Sequence, residues 1–468
     1  MRKIKHRKSS SNVVKFALII SFISCVSFIT FWIIYNQHYK LFNYELKEAR
    51  VIELANAMFL QINDDIQNGD ILEAYFLGER FLKLSQGHPA LDDLCKKTKL
   101  LLYQWPMFGK DHMHTHYVHI EMNGETLEPI IKERISYSIL ESPIYYEGIV
   151  YVGSHDSYMY AINAKNGEII WKFKASNSIQ TTAAIIGSIV IFGSEDDNIY
   201  ALDKISGKLK WKYKTGGDVY SNPTIFDDKI FIGSLDKNLY AFDISGNVLW
   251  IFESNNPIES SPSIFQDYLF FRNPKSLYVV NIKNGKGIPL LSPMKGIRTQ
   301  SVSISPPLIF NSQYSGPFAY NWNSKELEWL NDWERFFRFT YYPVSHSYAI
   351  SENEIYYSGS SKKHSLFFIR RGGIYCIRKK DGKQIWKYKI KYLESEDYPS
   401  WGTPVVTKDN VFVALPRGEI LVLDRSDGEK IISLVLPGQI FYQELCIGDS
   451  NLFITTNNGY FCSFGKSE

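Results

Sequence analysis

Four of the ten histidines lie within eight residues, at His112, His114, His116 and His119. Imidazole is a common ligand of zinc, copper and nickel. In an extended segment alternate residues share a face, which would bring His112, His114 and His116 to one metal ion. No cysteine or carboxylate is spaced to complete that site, so the competing reading is a solvated polar segment. A second cluster, Asp332 to Tyr342, reads DWERFFRFTYY and interrupts an otherwise regular chain. Aromatic and arginine side chains together are favoured at the centres of protein interfaces. Trp333, Arg335, Phe336, Phe337, Arg338 and Phe339 are therefore candidates for partner binding. The alternative is an inner strand with a buried connection, since aromatic strands serve packing throughout this sequence.

The elements that must position these residues are written as a repeat. From Ser142 to Phe252 one unit occurs three times: Gly153, Gly193 and Gly233 are 40 apart, as are Tyr160, Tyr200 and Tyr240. Trp171, Trp211 and Trp250 follow at 40 and then 39. Within each unit an alternating apolar run such as Ile149-Val150-Tyr151-Val152 predicts a half-buried strand. A polar turn leads to a second strand, and Asn163, Asp203 or Asp243 opens a tight turn whose side-chain oxygen can bond the backbone two residues on. Gly167, Gly207 and Gly246 supply the positive φ needed there. The next strand carries the tryptophan, suited to packing between neighbouring units. A period of this length, built of short strands, predicts a β-propeller with one four-stranded antiparallel blade per repeat.

The segment YALDKISGKLKW, Tyr200 to Trp211, resembles the signature of the PQQ-like repeat family, and the chain is identified as a member on that ground. The likeness extends to the C-terminus with losses. Pro289 and Ile432 stand where tryptophan is expected, Trp329 and Trp386 keep it, and Asp424 keeps the turn. Trp105-Pro106-Met107-Phe108-Gly109 resembles the family's lead-in. The expectation is an all-β propeller of eight blades, with seven as the alternative. The strand Ile130 to Tyr137 is placed to complete blade eight and so remove a free sheet edge. On the expectation that its ring is buried between blades, Trp211→Ala would cost roughly 3–5 kcal/mol.

The remainder of the chain divides as 1–15, a basic segment; 16–35, an apolar span; 36–104, a helical spacer; and 105–468, the propeller. Phe16 to Tyr35 holds 20 residues without a charge, enough to cross a bilayer. Six basic residues precede it, which places the N-terminus in the cytoplasm and the propeller outside, in the periplasm. The alternatives are a lipoprotein acylated at Cys25 and a cleaved leader. Without those six, 46 Lys and Arg face 49 Asp and Glu, so no basic footprint argues for nucleic acid. In the spacer, helical spacing runs through Ile66. Asp70 with Glu73 starts a second helix reaching Leu84, and a third spans Ala90 to Tyr103. The stretch resembles half of a tetratricopeptide repeat, and a small spacer packing on itself or on the propeller is the plainer reading. Five scattered cysteines form no Cys-x-x-Cys and no adjacent pair. Cys376 and Cys462 occupy the small buried position of Ala161, as core thiols.

Quinoprotein dehydrogenases of this superfamily hold PQQ and calcium at the propeller axis beside an adjacent cysteine pair, which is absent here. No carboxylate carries the motif of their catalytic base. The resemblance therefore implies the non-catalytic, BamB-like branch, similar to the propeller subunit of the outer-membrane β-barrel assembly machinery. The expected function is a membrane-anchored scaffold, not an enzyme and without a cofactor, that binds envelope proteins. A small-molecule or glycan sensor at the axis is the alternative, because propeller channels are concave and loop-lined.

Overall fold

Each repeat folds as an antiparallel sheet, and eight such sheets make the propeller. In blade one the strands are Ile144–Tyr146, Ile149–Gly153, Tyr158–Asn163 and Ile169–Lys174, in order from axis to rim. The first three are mostly buried and the fourth is mostly exposed. This computed structural model describes residues 48–68, 77–78, 80–83, 85, 91–103, 107, 110–111, 114, 116–118, 122 and 124–466. Within the last span 293–300, 314–315, 331–339, 344–346, 363–369, 392–401 and 441–443 are excepted. The sequence-predicted span at 16–35 and Cys25 lie outside the described residues. No helix among the described residues is long and apolar enough to cross a membrane.

Closure uses the predicted N-terminal strand, at Glu128–Arg134, two to three residues earlier than expected. It pairs antiparallel with Tyr460–Gly465, from Glu128 opposite Gly465 to Arg134 opposite Tyr460. Blade eight is thus assembled from both ends of the domain, and its sheet edge is used internally.

The repeated side chains have separate tasks. Tyr160, Tyr200 and Tyr240 each donate a hydroxyl bond to Asp156, Asp196 and Asp236 in the turn between second and third strands, at 2.7, 2.7 and 2.5 Å. Asp203 accepts from the Ile205 and Ser206 amides, Asp243 from Ser245, and Asp424 from Ser426. The Ser206 bonds hold the Asp203 carboxyl down at about 2. These aspartates are turn formers.

The tryptophans bind one blade to the next, at the rim. The indole N–H of Trp171 donates to Lys204 O at 3.0 Å, Trp211 to Ile244 O at 3.1 Å, and Trp250 to Ile282 O at 2.8 Å. Trp329 and Trp386 do the same to Lys379 O and Arg425 O, both at 2.9 Å. Each acceptor sits in the tight turn of the following blade. Gly246 in such a turn has φ +87°, and a Cβ there would lie 2.6 Å from Trp211 Cδ2. The glycine therefore admits the turn and the ring together. Trp211 is half-buried. The expected core cavity is corrected accordingly: the ring covers a seam from outside, and its loss should cost less than full burial implies.

Where tryptophan is missing the seam is filled differently. Between blades four and five the ring comes from the opposite side. Trp322, in the turn of blade five, packs back on Tyr268 and Phe270 at 4.9 and 5.1 Å. Ile131 takes the place against Gly167 at the closing seam.

Helices Glu48–Asn68 and Asp92–Tyr103 flank further helical residues near 81. Ala55, Ile62, Phe81 and Leu91 bury one another, so these helices have a core of their own. Asp70 and Glu73 lie outside the described residues.

The described cysteines are free thiols, and Cys376, Cys446 and Cys462 are buried. Burial pushes the Cys376 and Cys462 thiols up to about 12. Cys376 occupies the Ala161 position, opposite Tyr356 as Ala161 is opposite Tyr151. Cys462 does not. It faces Ile454, while Ser463 faces Phe453 and takes the Ala161 position, a register one residue from that expected.

Candidate functional site

The axis of a propeller is where ligands would converge, and here the chain supplies its own occupant. His114 and His116 are completely buried, and both have left-handed backbones, with φ 55° and 48°. The segment is therefore bent at each histidine, and the extended geometry expected to align alternate side chains is not adopted. His114 Nδ1 lies 2.9 Å from Ser263 Oγ and 3.2 Å from Val302 O, at the inner strands of blades four and five. His116 Nε2 lies 2.5 Å from Ser347 Oγ of blade six, and its Nδ1 is 3.6 Å from Glu444 Oε2 of blade eight. The two rings thus serve different blades. His112 and His119 lie outside the described residues, and no three His, Cys, Asp or Glu side chains converge on a metal position among those described.

From His116 onward the backbone adds to blade seven. Tyr117 forms a parallel bridge with Val406, Val406 N–H donates to His116 O at 3.0 Å, and Val118 N–H donates to Val406 O at 2.9 Å. Tyr117 packs with Tyr356, Ala349 and Val411, and Val118 with the core shared by blades seven, eight and one. Arg425 lies over the Tyr117 ring and binds Tyr356 Oη at 2.9 Å and Glu354 Oε2 at 2.8 Å. Further on, Asn410 Nδ2 donates to Met122 O, and Gly124–Thr126 turns beside the outer strand Lys430–Val435. The chain thus runs along the inner strand of blade seven and out beneath it to the rim, where it becomes the closing strand.

A ring of small polar side chains ties the inner strands to one another. The Thr182 amide donates to Asn222 Oδ1 at 2.8 Å and the Asn222 amide to Ser261 Oγ at 3.3 Å. The Ser261 amide donates to Ser301 Oγ at 3.0 Å and the Ser347 amide to Thr403 Oγ1 at 3.2 Å. Glu444 occupies this position in blade eight, where its amide donates to Ser142 Oγ at 2.8 Å and its carboxyl accepts from Thr403 Oγ1. Burial pushes the Glu444 carboxyl up to about 8, so at neutral pH it is mainly the neutral acid, able both to donate and to accept. Glu141, in the next loop, is raised to about 8 by desolvation and by the charge of Glu195.

Ser347, His116 and Glu444 stand in the order of a hydrolase relay, nucleophile to imidazole to carboxyl. Ser347 and His116 are completely buried, however, and Glu444 nearly so. A scissile carbonyl has no approach to that hydroxyl, and the contacts hold the threading segment in place. Sequence reading found the histidines but missed Ser347, Thr403 and Glu444. The available signal was a glutamate at a repeat position that elsewhere reads Ser, Thr or Asn.

The aromatic stretch is partly described. Thr340–Pro343 is a strand paired with residues 359–362, so the end of DWERFFRFTYY joins blade six. Trp333, Arg335, Phe336, Phe337, Arg338 and Phe339 lie outside the described residues. The second and third strands of blade six, Glu354–Lys362 and Arg370–Arg378, are nine residues each, against five and six in blade one. This hairpin therefore stands beyond its neighbours by about 10 Å.

The family described as outer membrane protein assembly factor BamB matches residues 155–388 and 370–466. No curated protein matches the sequence. BamB from Moraxella catarrhalis is 13% identical, with TM-score 0.57, covering 72% of this chain and 99% of that one. Quinohemoprotein alcohol dehydrogenase from Comamonas testosteroni is 13% identical, with TM-score 0.63, covering 88% of this chain and 85% of that one. The quinohemoprotein alcohol dehydrogenase ADHIIG from Pseudomonas putida HK5 is 12% identical, with TM-score 0.62, covering 78% and 81%. At such identities these structures establish the shared fold and leave function to be argued from the site.

Proposed function

The chain belongs to the outer membrane protein assembly factor BamB family, and from that premise we propose that it is a non-catalytic, membrane-anchored scaffold. Its propeller would hold protein partners outside the cytoplasm during envelope assembly. The observation that carries this reading is the filled axis. His114, His116 and Tyr117 are buried among the inner strands, His114 against blades four and five, His116 against six and eight, and Tyr117 against six and seven. The residues do not fit PQQ. The sequence has no adjacent cysteines, and the axial ring is small and polar apart from Glu444. A ligand there would have to expel a segment continuous with the strand that closes the domain.

With the axis occupied, recognition falls to the loops, and the departure from regularity in blade six supplies a face. Trp333, Phe336, Phe337 and Phe339, with Arg335 and Arg338, have the composition of an interface centre. Crosslinking and pull-down from intact membranes, comparing the full chain with a Trp333→Ala/Phe336→Ala/Phe337→Ala form, tests the proposal. Envelope-assembly proteins recovered with the first and lost with the second are the expected outcome. If neither form recovers a protein partner, the scaffold reading fails.

A further inference from the structure

The outer strands and tight turns of blades one to three leave a band of apolar side chains uncovered. Ile170, Ile205, Leu209, Ile244, Leu249 and Ile251 are each between 45% and 62% exposed. The seams draw them together: the Trp171 bond to Lys204 O sets the turn bearing Ile205 against the outer strand of blade one, and the Trp211 bond to Ile244 O sets Ile244 against the outer strand of blade two. Exposed apolar side chains gathered on neighbouring blades in this way mark a contact surface. On blades one and two its charge is mostly positive: residues 163–174 and 203–214 hold eight lysines against Glu168 and Asp203. Lys204 and Lys214 are bound to Glu147 and Asp197, while residues 243–253 of blade three carry Asp243 and Glu253 and no lysine. Asp203 is occupied by Lys210 at 3.1 Å, whereas among the described residues no carboxylate lies in ion-pair reach of Lys172, Lys174, Lys208 or Lys212. By contrast, the outer strand of blade five exposes Glu326 and Glu328.

Lysines beside exposed isoleucine and leucine fit a surface that is anionic at its face and apolar beneath. We propose that the rim of blades one to three rests on an anionic lipid bilayer, the aliphatic side chains entering the headgroup boundary and the lysines meeting phosphates. The 20-residue apolar run at Phe16–Tyr35, predicted from sequence to cross a bilayer, would hold such a surface within reach of the propeller. A protein groove would satisfy the aliphatic band equally but would not call for lysines without carboxylate partners on adjacent blades, of which Lys172 and Lys174 lie over the Tyr158 ring. The contact orients the scaffold, with the opposite rim turned to solvent.

The test uses the full chain reconstituted in vesicles, with an environment-sensitive fluorophore on Ile205→Cys, on Ile244→Cys, or on Val435→Cys, which is 82% exposed on blade seven. Quenching by nitroxide lipid is measured in vesicles of phosphatidylcholine with about a third phosphatidylglycerol, and in phosphatidylcholine alone. In the anionic vesicles quenching at 205 and 244 should exceed that at 435 at least twofold, and it should fall in the neutral ones. The Lys172→Glu/Lys212→Glu form should weaken the rim contact by a factor of about five per lysine. Folding is checked on each form by circular dichroism, and an Ile205→Ser/Ile244→Ser form with the label at Leu209→Cys should also lose quenching. Equal quenching at 205 and 435, or none at either, overturns the proposal. So does label-to-label contact between copies at 205, which would make the band a self-association surface.

Discussion

Replacing Gly246 and Trp211 singly and together should give a strongly non-additive result. Complete burial would make Trp→Ala cost about 3–5 kcal/mol. Trp211 is half-buried, with its ring against Gly246 and 5.8 Å from Phe242, so about 2 kcal/mol of packing is at stake. The indole bond to Ile244 O adds about 0.5 kcal/mol, the low end because it is exposed. Gly246→Ala meets two costs. At φ +87° a Cβ adds about 1 kcal/mol of backbone strain. Its methyl would also lie 2.6 Å from the ring, and displacing a seated indole adds about 2 kcal/mol. With the ring already gone the second cost disappears. The double variant should therefore lose about 3.5 kcal/mol, where the single losses sum to about 5.5, a coupling of about 2 kcal/mol. Urea unfolding followed by both fluorescence and circular dichroism measures this, provided the two probes give coincident transitions. Losses that add within about 0.5 kcal/mol would show that the ring does not rest on the glycine, and the account of the blade seams would be wrong.

Two further outcomes follow from the axis and the core. Glu444 is raised to about 8 in the fold, so the folded chain holds a proton that the unfolded chain releases near pH 4.5. Its contribution is fully present below that value, declines as pH rises, and levels off above about 8. Glu444→Gln should flatten this decline in a pH series of melting temperatures, and an unchanged slope would remove Glu444 from the cause. Cys376, Cys446 and Cys462 are buried with raised thiol pKa values, so they should resist a disulfide reagent at pH 8 until the chain unfolds. Rapid modification of any of them in the folded state would contradict the core packing.

The period of Gly153, Tyr160 and Trp171 was enough to read the blade, because each residue has a fixed local task in every copy. The closing strand was legible from its place, one repeat-position ahead of the first blade. The axis was not. His114 and His116 look like an alternating ligand set in one dimension, and only their left-handed backbones send the rings to separate blades. Those conformations are imposed by contacts with Ser263, Ser347 and Val406, which lie far away in sequence. The reversed seam at Trp322 was hidden likewise, since Pro289 reads as a loss until the ring arriving from blade five is seen. Cys462 was misplaced by one residue because Phe461-Cys462 imitates the aromatic-cysteine pair Tyr375-Cys376 without sharing its register.

The strand Glu128–Arg134 finds its partner only at Tyr460–Gly465. A ribosome makes the first of these long before the second. Throughout synthesis the early strand is therefore an open edge with no ladder to join, and the segment that threads the axis has only part of its wall. The ring closes by a contact spanning more than 300 residues, which is slow to search and leaves apolar surface exposed meanwhile. The chain must therefore be kept from pairing with others until its last blade has been made. A protein proposed to help others assemble is itself dependent on protection during its own synthesis.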